Sequence, residues 1–163
     1  MESEMLEKFV GTCRPFASVD VAAVVAWIAA IPFADWPQQD PLNGEPRPAM
    51  VTDLAWHGFD KTTEAVVNRI VAAFPGCEAT RRMLSAIMPG HWIDPHTDAR
   101  HAETIARIHV PLTTNRQAVF ITGGQPHRLE VGKAYLVNTE AEHSIRNDGD
   151  TPRIHFMFDV RRV

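Results

Sequence analysis

A chain of 163 residues with 45% hydrophobic and 22% charged residues can close one sizeable core, so its folding requires neither a disulfide framework nor a structural metal. A formal net charge of −4 and the lack of any Lys/Arg cluster argue against a nucleic-acid partner. Two cysteines, Cys13 and Cys77, without Cys-x-x-Cys spacing suit a reducing cytoplasm, and no apolar run approaches the roughly 18 residues of a membrane span.

Residues 1–10 carry three Glu and do not read as a signal peptide. Ser18 and Asp20 can cap a helix whose apolar residues Val21, Val24, Val25, Ile28 and Ala29 recur every three or four positions until Pro32. The proline-rich stretch Phe33 to Gly58 reads as an ordered loop with short extended pieces, placed to cover a site. A second helix is expected after Asp60, with Ala65, Val66, Ile70, Val71 and Phe74 on one stripe and Pro75-Gly76 as its end. From Thr80 the period changes to two. Strands are predicted at Arg81–Met88, Ile105–Thr113, Ala118–Thr122, His127–Val131, Ala134–Val137, His143–Arg146 and Arg153–Val160, with turns at Pro89-Gly90, Gly123-Gly124, Gly132 and Asn147-Asp148-Gly149. The expected organisation is a single domain over 1–163, with helices and loop in about 1–79 and a mainly β jelly roll in about 80–163.

The chemistry centres on His96 and Asp98. In an extended chain residues i and i+2 point the same way, so an imidazole and a carboxylate can converge on one ion. His143, on a strand that a jelly roll returns beside the first, is the third candidate. Two histidines and one carboxylate leave coordination positions open, as non-haem Fe(II) oxygenases require. In 106–112 and 153–160, Ile108, Val110 and Leu112, and Ile154, Phe156, Phe158 and Val160, take one face, leaving Arg107, His109, Arg153, His155 and Asp159 on the other. That polar face can be a wet exterior or the mouth of a barrel. Arg153 suits an anionic ligand there, because a guanidinium grips a carboxylate through two parallel hydrogen bonds.

The segments Leu84 to Asp98, Arg107-Ile-His109-Val-Pro-Leu, His143-Ser-Ile-Arg and Arg153-Ile-His-Phe-Met-Phe-Asp159-Val together resemble the aspartyl/asparaginyl β-hydroxylase family of Fe(II)/2-oxoglutarate oxygenases. The resemblance implies a cupin-like double-stranded β-helix and an O2-using hydroxylase that takes Fe(II) as cofactor and 2-oxoglutarate as cosubstrate. It implies that His96, Asp98 and His143 hold the iron, that Ser85, His109 and Arg153 contact 2-oxoglutarate, and that Arg107 meets the substrate. Some family members have Gly at the position of Asp98; retention of the carboxylate is similar to bacterial free-amino-acid hydroxylases and argues against a halogenase. The expected substrate is a small amino-acid-like molecule carrying a carboxylate.

Other readings stay open at this level. The metal site could belong to a cupin isomerase, lyase or sensor that makes no use of 2-oxoglutarate, or the jelly roll could be an interaction module without metal. His155 is a rival ligand if the strand register differs, whereas His91, His101 and His127 read as solvated residues. Asp159 either orients a neighbour or lies on the surface. Trp36, Trp56 and Trp92 either wall a pocket or pack in the core.

Overall fold

The computed structural model describes residues 8–37 and 48–163. In chain order these contain β1 (Cys13–Ser18), α1 (Ala22–Ala29), β2 (Ala49–Val51), α2 (Phe59–Val71), β3 (Cys77–Ile87), β4 (Trp92–His96), β5 (Thr104–Thr113), β6 (Ala118–Thr122), β7 (Gln125–His127), β8 (Lys133–Val137), β9 (His143–Asn147) and β10 (Arg153–Arg162). The strands form two antiparallel sheets, a six-stranded one in the order β1-β8-β5-β10-β3-β2 and a four-stranded one in the order β4-β9-β6-β7. This is a double-stranded β-helix with helices on one side, the fold class expected from the alternation after Thr80.

Alternation in β5 and β10 serves both faces of the large sheet. Ile108, Val110, Leu112, Phe156, Phe158 and Val160 join the main core, with Val24 and Ile28 of α1 and Phe59, Val66, Val67 and Ile70 of α2. The opposite faces carry Arg107, His109, Arg153, His155 and Asp159, all buried. A smaller apolar cluster of Ile87, Phe120, Leu129, Tyr135, Val137 and Ile145 draws on both sheets. One sheet is therefore backed by a dry core and fronted by a polar cleft.

Asn147 ties the two sheets. Fully buried at the end of β9, its Nδ2 donates to the carbonyls of Ile87 and Thr151, both at 2.9 Å, while its Oδ1 accepts from Asn115 Nδ2 at 3.0 Å and Gly149 N at 3.1 Å. All the strong valences of this amide are used.

Several local expectations need correction. The first 79 residues are not helix and loop alone, because β1 pairs with β8, β2 pairs with β3, and β3 starts at Cys77. Both added strands lie at sheet edges, where pairing on one side leaves little alternation to read; β1 even holds Pro15 beside an irregular register. The turn expected at Pro89-Gly90 is present, but β4, directly after it, was not expected; it too lies at an edge, with Pro95 inside it. The strand expected over His127–Val131 is instead Gln125–His127, since Gly123 and Gly124, with φ of 55° and 75°, make the two-residue hairpin turn that pairs Thr122 with Gln125. Ser18 ends β1 and does not cap α1, although Asp20 Oδ1 accepts from Ala22 N at 3.0 Å.

Within the expected loop, Trp36 and Trp56 meet at 5.3 Å between ring centroids, and Trp27 Nε1 donates to the His57 carbonyl at 2.9 Å. Part of that loop, residues 38–47, lies outside the described residues. Cys13 and Cys77 are free thiols, and burial pushes that of Cys13 up to about 12.

Candidate metal centre and its cleft

A cleft of about 390 Å³ opens between the sheets. His96 stands at the end of β4, His143 begins β9, and those two residues are direct partners in the ladder. Cross-strand partners have their side chains on the same face, which brings the rings to 4.3 Å between centroids. Asp98 follows two residues after His96, its N–H held by the carbonyl of Thr139 at 2.8 Å. Nε2 of His96 lies 3.8 Å from Asp98 Oδ1, and Nε2 of His143 lies 3.7 Å from Asp98 Oδ2. Among the described residues, these three form the one group of His, Cys, Asp and Glu side chains with metal-binding spacing.

The outer hydrogen bonds orient the donors. Nδ1 of His96 lies 2.7 Å from the Asp94 carbonyl and Nδ1 of His143 lies 2.9 Å from the Ala141 carbonyl. A carbonyl only accepts, so each Nδ1 carries the proton and each Nε2 presents its lone pair to the centre, as in metal-binding histidines. Arg107 Nη1 donates to Asp98 Oδ2 at 2.9 Å, which leaves Oδ1 for an ion. The neighbouring His143 first, then the guanidinium of Arg107 and His96, outweigh burial and hold the Asp98 carboxyl down to about 2. The carboxylate is thus ionised and ready as a ligand. These donors fit one divalent ion.

Arg107 is braced from behind. Asp159 accepts from its Nε at 2.7 Å and from its Nη2 at 3.2 Å. Burial alone would lower this guanidinium, but Asp159 and Asp98 outweigh it and raise the pKa. Asp159 therefore orients a neighbour and is not a surface residue. Sequence reasoning placed Arg107 in the cleft but had no signal for its pairing with a residue 52 positions away.

Arg153, Ser85 and His109 all line the same cleft and are all buried. Nη2 of Arg153 donates to His155 Nδ1 at 2.8 Å, and Nη1 has no hydrogen-bond partner. Burial with no carboxylate beside it pushes Arg153 down to about 9, which leaves it protonated at neutral pH. His109 and His155 are held well below the ordinary imidazole range, by burial first and then by the charge of Arg153, so both are neutral. Nδ1 of His109 likewise lacks a partner. His155 packs against Arg153 and His109 and lies outside the metal group, so its rival assignment as a ligand fails. None of Trp36, Trp56 and Trp92 lines the cleft; the first two pack with the main core and Trp92 is exposed on an edge strand.

The sequence profile of the aspartyl/asparaginyl beta-hydroxylase family matches residues 55–163. No curated protein sequence matches the chain significantly. Among solved structures, the chain is similar to a non-heme alpha-ketoglutarate-dependent epimerase, SnoN, from nogalamycin biosynthesis, at TM-score 0.69 and 16% identity over 92% of this chain and 77% of the other. It is also similar to an oxidoreductase of the 2OG-Fe(II) oxygenase family from Burkholderia pseudomallei (TM-score 0.66, 13% identity, covering 93% and 86%) and to AviO1 from Streptomyces viridochromogenes (0.65, 10%, covering 98% and 92%). At such identities the structural likeness establishes the fold.

Proposed function

The chain belongs to the aspartyl/asparaginyl β-hydroxylase family, and from that premise we propose that it is an Fe(II)- and 2-oxoglutarate-dependent dioxygenase hydroxylating an unactivated C–H bond of an amino acid, an amino-acid residue or a related small carboxylate. One observation carries the reading. A charged guanidinium, Arg153, is buried without a carboxylate partner in the cleft that also holds a two-histidine, one-carboxylate group. Burying an unpaired charge is costly, so the site is built for an anion beside a metal.

With O2, the iron and 2-oxoglutarate supply the oxidising power that replaces a substrate hydrogen with hydroxyl and leaves succinate and CO2. His96, Asp98 and His143 hold the ion in this reading, on one side only, so that positions remain for cosubstrate and O2. Arg153 grips the far carboxylate of the keto acid through its fork, Ser85 adds a hydroxyl, and neutral His109 offers a ring nitrogen that has no partner of its own. Arg107, expected from the sequence to meet substrate, already serves Asp98 and Asp159, and we assign it to holding the Asp98 carboxylate in place. Ile93, Phe120 and Ile145 give the cleft apolar walls that limit water near the reacting atoms.

Succinate formation from 2-oxoglutarate, measured with and without Fe(II) across a panel of amino acids and related acids, tests this reading. Activity is expected to require iron and to fall in His96→Ala and His143→Ala by more than the roughly 10- to 100-fold that an outer hydrogen-bonding partner costs. Unchanged iron content in both variants would remove the ligand assignment. Metal binding that never responds to 2-oxoglutarate would point to a cupin of another class.

A further inference from the structure

We propose that Arg81 binds an anionic group of the substrate, and that the substrate is an acid presenting one carboxylate at the mouth of the cleft; the inference rests on the oxygenase reading above.

The backbone aims this side chain. Met83 pairs with Met157, but the next pair is Thr80 with Asp159, so Arg81 and Arg82 together face Phe158 across a β-bulge. Arg81 has φ of 51°, a left-handed conformation that glycine usually takes at such bulges. Arg81 lies two residues before Met83 and four before Ser85, so strand alternation puts the three on one face, and all three line the cleft.

Charge counting singles it out. Three arginines line the cleft, Arg81, Arg107 and Arg153. Arg107 and Arg153 are buried, whereas the side chain of Arg81 is 56% exposed. Its nearest carboxylate oxygen, on Asp159, lies 3.7 Å away and already accepts from Arg107. That is an ion pair too long for a hydrogen bond. Three guanidinium charges against Asp98 and Asp159 leave one positive charge. A divalent ion and the dianion of 2-oxoglutarate cancel each other and leave that surplus in place. It resides on the one arginine that solvent and substrate can reach.

Position separates the two anion sites. Arg153 and Asp159 are six residues apart on β10, roughly 20 Å at the rise of an extended strand. Met83 and Met157 pair between them and line the cleft with their thioethers. A keto acid held at Arg153 is too short to reach Arg81, so Arg81 is free for a second ligand. Past it lies another cleft, of about 300 Å³, lined by Thr52, Leu54, Arg81, Arg82 and Met83, with room for the rest of a substrate. Among the described lining residues of the main cleft Asp98 is the only carboxylate, and it is committed to the metal centre. Among these described residues an ammonium group has no free carboxylate partner, so they favour an acid over an amine.

The test uses protein loaded anaerobically with Fe(II) and 2-oxoglutarate, with hexanoate, benzoate and N-acetyl-leucine as probes beside their primary amides and the corresponding amines, and binding measured by calorimetry. At least one carboxylate is expected to bind, with its amide and amine weaker by about 10- to 100-fold, the cost of losing one charged hydrogen-bonding partner. Arg81→Gly suits the left-handed backbone and should lose carboxylate binding by a similar factor, while Arg81→Lys keeps part of it. Binding by no carboxylate, equal binding by acid and amide, or wild-type affinity in Arg81→Gly would each overturn the proposal. Loss of 2-oxoglutarate binding by the wild-type protein is a separate signal; it would overturn the oxygenase reading and this inference with it.

Discussion

Arg153 and Asp159 carry the two most specific consequences at the level of single side chains. Arg153 is buried with Nη1 unpartnered, so a lysine there replaces a planar fork with a point charge. Arg153→Lys should raise the 2-oxoglutarate concentration for half-maximal turnover by about 10-fold or more and leave iron binding close to wild type. Equal loss of both, read by metal analysis and cosubstrate titration, would contradict the assigned role. Asp159→Asn keeps the shape but removes the charge that fixes Arg107, and through it Asp98; iron affinity should fall by roughly 10- to 100-fold, measured by chelator competition. His96, Asp98 and His143 were legible in the sequence because the i, i+2 rule and the return of a late strand are enough to bring them together. The Asp98–Arg107–Asp159 chain was not, since nothing local announces a partner 52 residues away. Arg81 was equally hidden, because nothing local shows that the carboxylate beside it, on Asp159, is already taken by Arg107.

At the level of strands, Asn147 is the joint between sheets. Its amide makes four hydrogen bonds from a fully buried position, two of them donated, to Ile87 and Thr151. Asn147→Ala leaves several buried groups unpaired at about 1–3 kcal/mol each, so a loss of at least about 3 kcal/mol in denaturant unfolding is expected. A loss under about 1 kcal/mol would show that water replaces the amide. The sequence marked Asn147 only as a turn residue, because a polar residue before Asp-Gly looks the same whether it faces solvent or clamps a core. The long central strands β3, β5 and β10 were readable since each runs for ten or eleven residues and buries both faces over five or more of them. Edge strands β1, β2 and β4 were not, since one-sided pairing tolerates proline and irregular patterning.

For the molecule as a whole, the unpaired charge at Arg153 and the convergent donors at the metal centre link stability to ligands. In the iron-loaded protein, 2-oxoglutarate at about 100 times its Kd should stabilise the fold by about 2.7 kcal/mol, a rise in Tm of roughly 5–10 °C for a domain of this size. In the metal-free protein Asp98 is held below its ordinary value of 3.8, down to about 2. Its folded-state pKa is depressed, so the stability it contributes is complete above about pH 3.8 and disappears as the pH falls to about 2. The difference in stability between wild type and Asp98→Asn should shrink across that window.

The most direct measurement is anaerobic titration of the Fe(II)-loaded protein with 2-oxoglutarate, following the metal-to-ligand charge-transfer absorption in wild type and in His143→Ala. A band that saturates at one cosubstrate per iron in wild type and is lost in the variant is the expected result. No band in the wild-type protein, or the same band in both, would contradict the placing of one ferrous ion between His96, Asp98 and His143.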